Sequence, residues 1–390
     1  MLGLGIHLKE AAMFNKHDLK RDEFMLTGSL ADNGYDWWWH SFTARNAGTG
    51  EERPFFIEFF ACNPAMGGMD PVLGQLPENR EAGRKPSYLM VKVGTWGKDH
   101  AQLHRFFGWG EVEMRYKEPF HVRVGDCFVS DRETYGSVCL TEEESKAHPE
   151  YMCDWGEITW NLKIYKDTAF NVGYGASTPL RAAKAFEMYW HAEGMKTLYE
   201  GEITYNGVKY TVDPVNCYGY ADKNWGKGFT SPWVWLSSNN LTSNLTGKQL
   251  KDSVFDIGGG KPKIYFVPLD RKLLSAFWYE GEPFEFNFSK FWTLTRTKFD
   301  FHETDDEVFW HVWQENTKAA MDVNLHCRKE DMLLINYEEP DGRKRHNRLW
   351  NGGNGEGDIK LYRKVRGGLQ LIDDIHAKNI GCEYGEFDEE

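Results

Sequence analysis

The 390-residue sequence contains no apolar run of the length that a membrane-spanning helix needs, which is about 18 residues. It also lacks an excess of basic residues, because 46 Lys and Arg stand against 59 Asp and Glu, a formal net charge of −13. That balance argues against a protein dedicated to nucleic acids or to anionic membranes, since both need fields of Lys and Arg. The first twenty residues carry charges where a signal peptide needs an apolar core, so a cytoplasmic protein is expected.

Cysteine pairs with metal-binding or redox spacing are missing as well. The seven cysteines are scattered and form no CxxC pair, which predicts free thiols in place of a disulfide framework or a zinc site. The glycine-rich stretches lack the spacing of phosphate-binding loops, and neither HExxH nor GxSxG occurs. We therefore predict no cofactor and no metal ion.

Aromatic residues are abundant, with 16 Trp, 18 Tyr and 25 Phe, and they supply enough apolar surface for a packed core. Short runs of alternating apolar and polar residues dominate, and residues 201–212 contain two such runs around Asn206-Gly207, a strong hairpin signal. Many short strands in succession predict an all-β protein with minor helix, built as antiparallel β-barrels or sandwiches. Strand-rich stretches on both sides of about residue 200 predict two domains, at 1–205 and 206–390.

Helix is predicted at two places only. Residues 178–188 form one candidate, with Pro179 near its start, and residues 141–148 form a short surface candidate. Residues 63–86 are rich in Gly, Pro and polar side chains and predict a long loop. Loops of that length in compact domains often serve as lids.

The segment Tyr218 to Trp235 (YGYADKNWGKGFTSPWVW) is the most unusual in the chain, because it packs polar groups among many aromatic ones. We interpret it as a buried turn that precedes a strand near Trp233. A desolvated Asp222 would have a raised pKa, whereas pairing with Lys223 would lower that pKa. A neutral buried carboxylic acid can act as a general acid, but Asp222 and Asn224 are equally typical of a structural corner.

The DKNWG run at 222–226, followed by PWVW at 232–235, resembles the D-x-N-W-G signature of the tocopherol cyclase-like superfamily. That superfamily includes tocopherol cyclases, carotenoid 1,2-hydratases of the hydroxyneurosporene synthase type and β-barrel Diels–Alderases. The aromatic run at 34–39 lies where the family has an early aromatic strand.

The resemblance implies two lipocalin-like antiparallel β-barrels with an apolar cavity. It also implies chemistry on an unsaturated lipid or isoprenoid-like substrate without a redox cofactor, in which a double bond is protonated for hydration, isomerisation or cyclisation. On this basis Asp222 is the candidate acid, Trp225 lines the site and Asn224 orients the acid.

Two further catalytic candidates come from strand patterns. Alternation sends Trp38 and His40 to one face and Trp37 and Trp39 to the other, so His40 would relay protons if its face borders a cavity. Glu58 is a carboxylate in the apolar strand FFIEFF, which must pair, shift its pKa or face a polar cavity. Further candidates for substrate binding are Trp38, Trp235, His311, Trp313 and Arg105, the last as a grip for an anionic head group.

Two other functions fit the same residues. A non-catalytic lipocalin-like carrier would also need an aromatic, apolar pocket with few polar groups. A carbohydrate-active β-protein would use Trp platforms with Glu58 and Asp222 as paired carboxylates. For the enzyme and the carrier alike, the expected partner is a hydrophobic small molecule, collected through transient membrane contact, and nucleic acid is not expected.

Overall fold

The computed structural model describes residues 20–117, 119–170, 183–265, 267–343 and 348–386. It confirms the predicted fold class, since these residues form two barrel-like antiparallel sheets with little helix. The strands of the first sheet are β1 (Tyr35–Asn46), β2 (Glu52–Cys62), β3 (Tyr88–Thr95), β4 (Ala101–Phe107), β5 (Val112–Arg115), β6 (His121–Val124), β7 (Cys127–Ser130), β8 (Glu133–Leu140), β9 (Gly156–Phe170), β10 (Met188–Tyr205), β11 (Val208–Val212) and β12 (Gly219–Gly226).

The remaining strands are β13 (Trp233–Ser238), β14 (Asn240–Ser243), β15 (Val254–Gly260), β16 (Lys263–Ile264), β17 (Val267–Pro268), β18 (Lys272–Tyr279), β19 (Glu282–Phe286), β20 (Arg296–Glu303), β21 (Glu307–Glu315), β22 (Ala319–Arg328), β23 (Leu333–Ile335), β24 (Arg348–Val365) and β25 (Gly368–Glu386). All of them belong to the second sheet except β16 and β17, which pair with each other as a separate hairpin.

The described helices are short: α1 (Pro77–Glu81), α2 (Glu142–Ala147) and single 3-10 turns at Gly28–Leu30, Pro64–Met66, Trp109–Glu111, Pro149–Tyr151, Phe291–Thr293 and Lys329–Asp331. None of them has the length and apolar character needed to cross a membrane.

The predicted helix at 141–148 is confirmed, because Thr141 and Glu144 form a reciprocal capping box. The predicted helix at 178–188 is wrong where the structure describes it. Residues 183–187 form a turn and an isolated bridge and Met188 begins β10, while residues 178–182 lie outside the described residues.

The first sheet runs in the order β4-β3-β2-β1-β11-β10-β9-β8-β7-β6-β5, and β12 is inserted between β1 and β10. It curls until β4 packs against β8 and β9, which encloses a core of Phe, Val, Leu and Ile side chains. The Asn206-Gly207 hairpin is confirmed, since both turn residues have positive φ and join β10 to β11.

The second sheet runs in the order β19-β18-β15-β13-β25-β24-β22-β21-β20. It curls in the same way, because Gln314 on β21 donates from its amide nitrogen to the Leu273 carbonyl on β18 at 3.0 Å. A second hydrophobic core fills this barrel. The sheets change over between Gly226 and Trp233, so the division at 205/206 falls in a turn of the first sheet. The domain bounds 1–205 and 206–390 stay a prediction.

A third hydrophobic cluster lies between the barrels. It forms because five adjacent strands of the first sheet (β3, β2, β1, β12 and β10) are covered on both faces. Alternate side chains point into the first barrel, and the others pack against β13, β15, β18, β23 and β24 of the second barrel. Tyr35, Trp37 and Trp39 therefore face the second barrel, whereas Asp36, Trp38 and His40 face the interior of the first.

The DKNWG run corrects one prediction, because residues 219–226 form a fully buried central strand, β12, and not a turn. Its backbone pairs on both sides, with β1 and with β10. The following strand at Trp233 is confirmed.

Residues 63–86 form a loop with one 3-10 turn and the five-residue helix α1. The loop is tied to the second half of the chain, since Asn63 donates to the Pro340 carbonyl at 2.7 Å and Gln75 donates to the Gly342 carbonyl at 3.1 Å. Its role as a lid stays a prediction.

Candidate active site

A cavity that opens to solvent lies between the two barrels, and the space not filled by protein atoms is about 540 Å³ with part of that solvent included. The first barrel contributes Trp37 and Trp39 from β1, Met188 from β10 and Asp222 from β12. The second barrel and the connecting segments contribute the remaining lining residues: Phe229, Thr230, Trp233, Trp235, Tyr337, Leu349 and Glu383. The wall is therefore aromatic, with one carboxyl group from each barrel.

Asp222 is buried, with 7% of its surface exposed, and its described hydrogen-bond donors are all uncharged. Trp190 donates from Nε1 to Oδ2 at 2.7 Å, Tyr220 donates from its hydroxyl to the same oxygen at 3.2 Å, and Trp37 donates to Oδ1 at 3.4 Å. Burial raises the pKa of Asp222 well above its usual range, and the nearby Glu383 carboxyl raises it further against the opposing indole hydrogen bonds. The surroundings of Asp222 thus favour its protonated form over the carboxylate.

Glu383 on β25 reaches the same cavity from the other barrel and remains partly exposed there. Trp233 donates from Nε1 to Glu383 Oε2 at 2.7 Å, and the Asn351 amide donates to Oε1. Burial raises the pKa of Glu383 to about 7, against the two hydrogen bonds that lower it. Its ionisation therefore falls within the physiological pH range.

A second carboxyl group stands behind Asp222. The Tyr220 hydroxyl lies 3.2 Å from Asp222 Oδ2 and 3.2 Å from Oδ2 of Asp256, which is on β15 of the second barrel. Burial raises the pKa of Asp256 well above its usual range, and the Asp222 charge raises it further. The Tyr220 hydroxyl carries one proton, so it can donate to only one of the two carboxyls at a time. It can accept a hydrogen bond from the other carboxyl when that group is protonated. The three groups form a path for a proton.

Glu58 also faces the second barrel, and the β-sheet register aligns it with Trp39 and Asp222 across three adjacent strands. Its side chain is already engaged, because Glu58 Oε2 lies 2.8 Å from Lys92 Nζ and accepts from the Tyr337 hydroxyl at 3.0 Å. Lys92 in turn lies over the Tyr337 ring, 3.7 Å from its centroid. The Lys92 ammonium compensates the Glu58 carboxylate beside the cavity wall. Because Lys92 and Tyr337 already engage Glu58, it is a poor partner for Asp222 in a pair of carboxyls that cleaves sugars.

The other residues of the DKNWG run are divided between the two faces of β12. Asn224 shares the face of Asp222 and accepts from the Tyr35 hydroxyl at 2.7 Å, but it does not line the cavity. Trp225 lies on the opposite face, where it stacks on Tyr189. Lys223 points to that same face and forms a buried ion pair with Asp36.

His40 and Trp38 lie inside the first barrel and not in the cavity. His40 Nδ1 is 3.0 Å from the Tyr199 hydroxyl, and burial lowers the pKa of this histidine to about 3. Trp38 donates from Nε1 to the Asp22 carbonyl at 2.8 Å. Alternation is confirmed for both side chains, but the face they share is the filled barrel interior.

Trp235 lines the cavity and packs against Tyr220, whereas three other predicted binding residues lie on outer surfaces. His311 is exposed and lies 2.9 Å from Asp322, and Trp313 packs against Tyr362 on the outside of the second barrel. Arg105 forms an exposed ion pair with Asp126. The structure thus brings Asp222 and Trp235 together, keeps Glu58 beside them and separates the other predicted residues.

Sequence reasoning missed Glu383, Asp256, Tyr220, Trp190 and Tyr337. Period-two alternation on β12 could have indicated Tyr220, which is two residues from Asp222 and on the same face. Glu383 and Asp256 reach the site only because the second barrel packs on the first, and no local pattern signals that contact.

Comparison with known proteins agrees with the resemblance in the DKNWG segment. The model of the tocopherol cyclase-like family matches residues 131–386. The protein named "Probable tocopherol cyclase, chloroplastic" from Oryza sativa subsp. japonica is 29% identical over 144 residues, which are 37% of this chain. The match spans about a quarter of that relative's length, 26%.

Among solved structures, kievitone hydratase from Nectria haematococca aligns over 97% of this chain and 94% of its own, with a TM-score of 0.47 and 11% identity. The family match covers more than half of the chain and includes every strand from β9 to β25. This chain belongs to the tocopherol cyclase-like family.

Proposed function

We propose that this protein is a cyclase- or hydratase-type enzyme that protonates a carbon–carbon double bond of a hydrophobic, isoprenoid-like substrate. The observation that carries the proposal is the meeting of Asp222 and Glu383, one from each barrel, in a cavity walled by aromatic side chains. Membership in the tocopherol cyclase-like family supports the reaction class.

Asp222 is the proposed acid, because burial favours its protonated form, while the Trp190 indole that donates to it stabilises the carboxylate left after proton transfer. Transfer of that proton to one alkene carbon breaks the Asp222 O–H bond, forms a C–H bond and leaves a cation on the neighbouring carbon. The faces of Trp37, Trp39 and Trp235 then stabilise the positive charge, as aromatic quadrupoles attract cations.

Glu383 is the proposed base. Water or a hydroxyl group of the substrate adds its oxygen lone pair to the cation, and Glu383 takes the proton that this oxygen releases. The sum of the two steps adds H and OR across the double bond. Return of the proton from Glu383 to Asp222, which line the same cavity, restores the starting state.

The test is turnover in isotopically labelled water. A panel of polyprenyl phenols, carotenoids and unsaturated fatty acids is incubated with the enzyme in D₂O and in H₂¹⁸O, and products are analysed by mass spectrometry. We expect one carbon-bound deuterium per turnover, with one ¹⁸O for hydration and none for cyclisation onto a substrate hydroxyl.

Asp222→Asn should abolish this labelling, whereas Asp213→Asn, in an exposed turn, should not. Product without solvent deuterium, or full turnover by Asp222→Asn, would refute the assignment of the acid. Recovery of a tightly bound but unchanged ligand in every case would favour the carrier, for which the same aromatic wall would serve.

A further inference from the structure

Five large apolar side chains are strongly exposed at one place, beside the groove that leads to the cavity. Tyr265 and Val267 project from the β16–β17 hairpin, and Phe291, Trp292 and Leu294 project from the 3-10 turn after β19. Their exposed fractions range from 51% for Val267 to 70% for Trp292. We call these five residues the apolar rim.

The two parts of the rim are linked through two partly buried neighbours, Phe186 and Phe288. Phe186 forms a β-bridge with Ile264 in the hairpin, and its ring contacts the ring of Phe288 at the base of the turn, with 6.5 Å between centroids. Phe288 also packs against the hydrophobic cluster between the barrels. The rim therefore borders the interface that contains the proposed active site.

A groove lies between the neighbours of the rim and the cavity, and Met188, Thr230 and Trp233 line both the groove and the cavity. Phe186 and Phe288 line the groove together with Trp190. Trp233 also lines the cavity, and Trp190 donates its Nε1 proton to Asp222. An apolar chain that entered between Phe186 and Phe288 would remain on aromatic and aliphatic surface until it reached the proposed acid.

The charge around the rim is opposite in sign to that of the whole chain. Residues 183–187, 261–272 and 288–298 carry eight Lys and Arg and two Asp and Glu. With Glu285 and Glu315, which pair with Lys290 and Arg296, the formal charge of this set is +4 in a protein of −13. Exposed members of this basic set are Lys184, Lys261, Lys263, Arg296 and Lys298. Aromatic and leucine side chains flanked by basic residues have the composition of segments that settle into an anionic lipid interface.

We infer that the apolar rim docks on the surface of an anionic lipid bilayer, and that the groove receives the apolar substrate from that bilayer. This inference rests on the proposed function for the identity of the cargo, but not for the docking itself. The excess of Lys and Arg on the segments that carry the rim favours lipid over a protein partner, because lipid phosphates and carboxylates attract basic segments.

Vesicle flotation tests the docking. The full chain is mixed with phosphatidylcholine vesicles, with and without phosphatidylserine, and the bound fraction is measured. We expect binding that increases with phosphatidylserine and decreases with salt. The triple variant Phe291→Ser/Trp292→Ser/Leu294→Ser should bind at least about tenfold more weakly, because its apolar side chains no longer leave water.

The matched control, Val208→Ser/Val215→Ser/Leu245→Ser, removes three exposed apolar residues outside the rim and should bind like the parent. Lys261→Gln/Lys298→Gln should lose roughly fivefold per residue on phosphatidylserine vesicles and little on phosphatidylcholine alone. Unchanged binding by a folded rim variant would overturn the inference. A rim variant that alters the oligomeric state in sedimentation, without a change in vesicle binding, would also overturn it in favour of self-association.

Asp222→Asn separates this inference from the proposed function, because that variant should float with vesicles like the wild type. Vesicle binding without Asp222-dependent turnover would support the rim and contradict the acid. Asp222-dependent turnover without vesicle binding would support Asp222 as the acid and contradict the docking of the rim.

Discussion

Two groups of buried carboxyls, one inside the first barrel and one in the cavity between the barrels, differ in how their charge is compensated. Inside the first barrel, Lys166 Nζ lies between Asp22 at 3.2 Å, Asp131 at 3.0 Å and Glu193 at 2.7 Å, and Lys223 pairs with Asp36. In the cavity between the barrels, Asp222 and Glu383 receive hydrogen bonds from indole, phenol and amide groups, whereas Glu58 beside them is paired with Lys92.

The difference separates a structural arrangement from a chemical one. A carboxylate with a buried ammonium partner gains an ion pair in its charged form, and removal of either partner is costly. Burial nevertheless raises the pKa of Asp36 to about 6 and that of Asp22 to about 7, against the lysines that lower both. A buried carboxyl with neutral donors can exist in both protonation states, and an acid catalyst needs both. Asp22, Asp131 and Glu193 bring three carboxyl oxygens close together. Because Lys166 already supplies a positive charge there, these oxygens are not interpreted as a site for a metal cation.

The largest expected effect is on catalysis at Asp222. We expect Asp222→Asn to lower kcat by roughly 10²–10⁴-fold, the usual contribution of a general acid, while the free energy of unfolding stays equal or rises. The amide keeps acceptor capacity for Trp190 and cannot become charged. Steady-state kinetics and urea unfolding give the two numbers.

Asp36→Asn serves as the crossed control, because it leaves Lys223 buried without its counter-charge. It should lose stability while its folded fraction keeps the pH profile of the wild type. If Asp222→Asn were less stable than Asp36→Asn, the distinction between ion-paired carboxyls and carboxyls with neutral donors would be wrong.

The second effect concerns Lys223, which is adjacent to Asp222 in the sequence but lies on the other face of β12. Lys223→Met should lower the free energy of unfolding by about 3–5 kcal/mol, since it leaves Asp36 buried and unpaired. The double variant Asp36→Asn/Lys223→Met removes both charges and should recover most of that loss, because the carboxamide oxygen that replaces the carboxylate can still accept from the Met25 backbone N–H. Denaturant unfolding of both variants measures the coupling, and a double variant as unstable as Lys223→Met would contradict it.

Much of this arrangement was predictable from sequence. Alternation placed Trp37 and Trp39 on one face of β1 and Trp38 and His40 on the other, and the Asn206-Gly207 turn predicted its hairpin. The family signature pointed to Asp222. These features are local, so a single stretch of sequence carries them.

The errors come from long-range packing. The pattern of residues 219–226 favours a turn, because a strand buried on both faces has no alternation of polar and apolar residues. His311 and Trp313 share a strand face, but nothing local indicates that this face is the outside of the second barrel. Glu383 is 161 residues from Asp222 in sequence, and the contact of the barrels alone brings the two together.

The third effect is a pH dependence of stability that belongs to Glu383. Folding raises the pKa of Glu383 from 4.5 to about 7, so between these values the folded state binds more protons than the unfolded state. Stability from this group must therefore fall as the pH rises through that window. Relative to Glu383→Gln, the wild type should lose up to about 3 kcal/mol between pH 4 and pH 8.

Urea unfolding of wild type and Glu383→Gln at a series of pH values gives this difference directly. The variant should also lose the ascending limb of the kcat profile near pH 7, because the base is gone. A constant stability difference across the range would mean that Glu383 titrates normally, and its proposed role would then lack its physical basis.

The smallest effect concerns the indole that holds Glu383. Trp233→Phe keeps an aromatic wall but removes the Nε1–H bond to Oε2, which stabilises the charged carboxylate. The pKa of Glu383 should rise by up to about one further unit, and the ascending limb of the pH profile should move to higher pH. ¹³C NMR of labelled glutamate, with Glu383→Gln to assign the resonance, measures the shift. Trp313→Phe, on the outer face of the second barrel, is the control and should leave the resonance in place. A lower pKa of Glu383 in Trp233→Phe would mean that the indole stabilises the protonated acid. The neutral donors of the cavity would then oppose ionisation of Glu383 where we expect them to favour it.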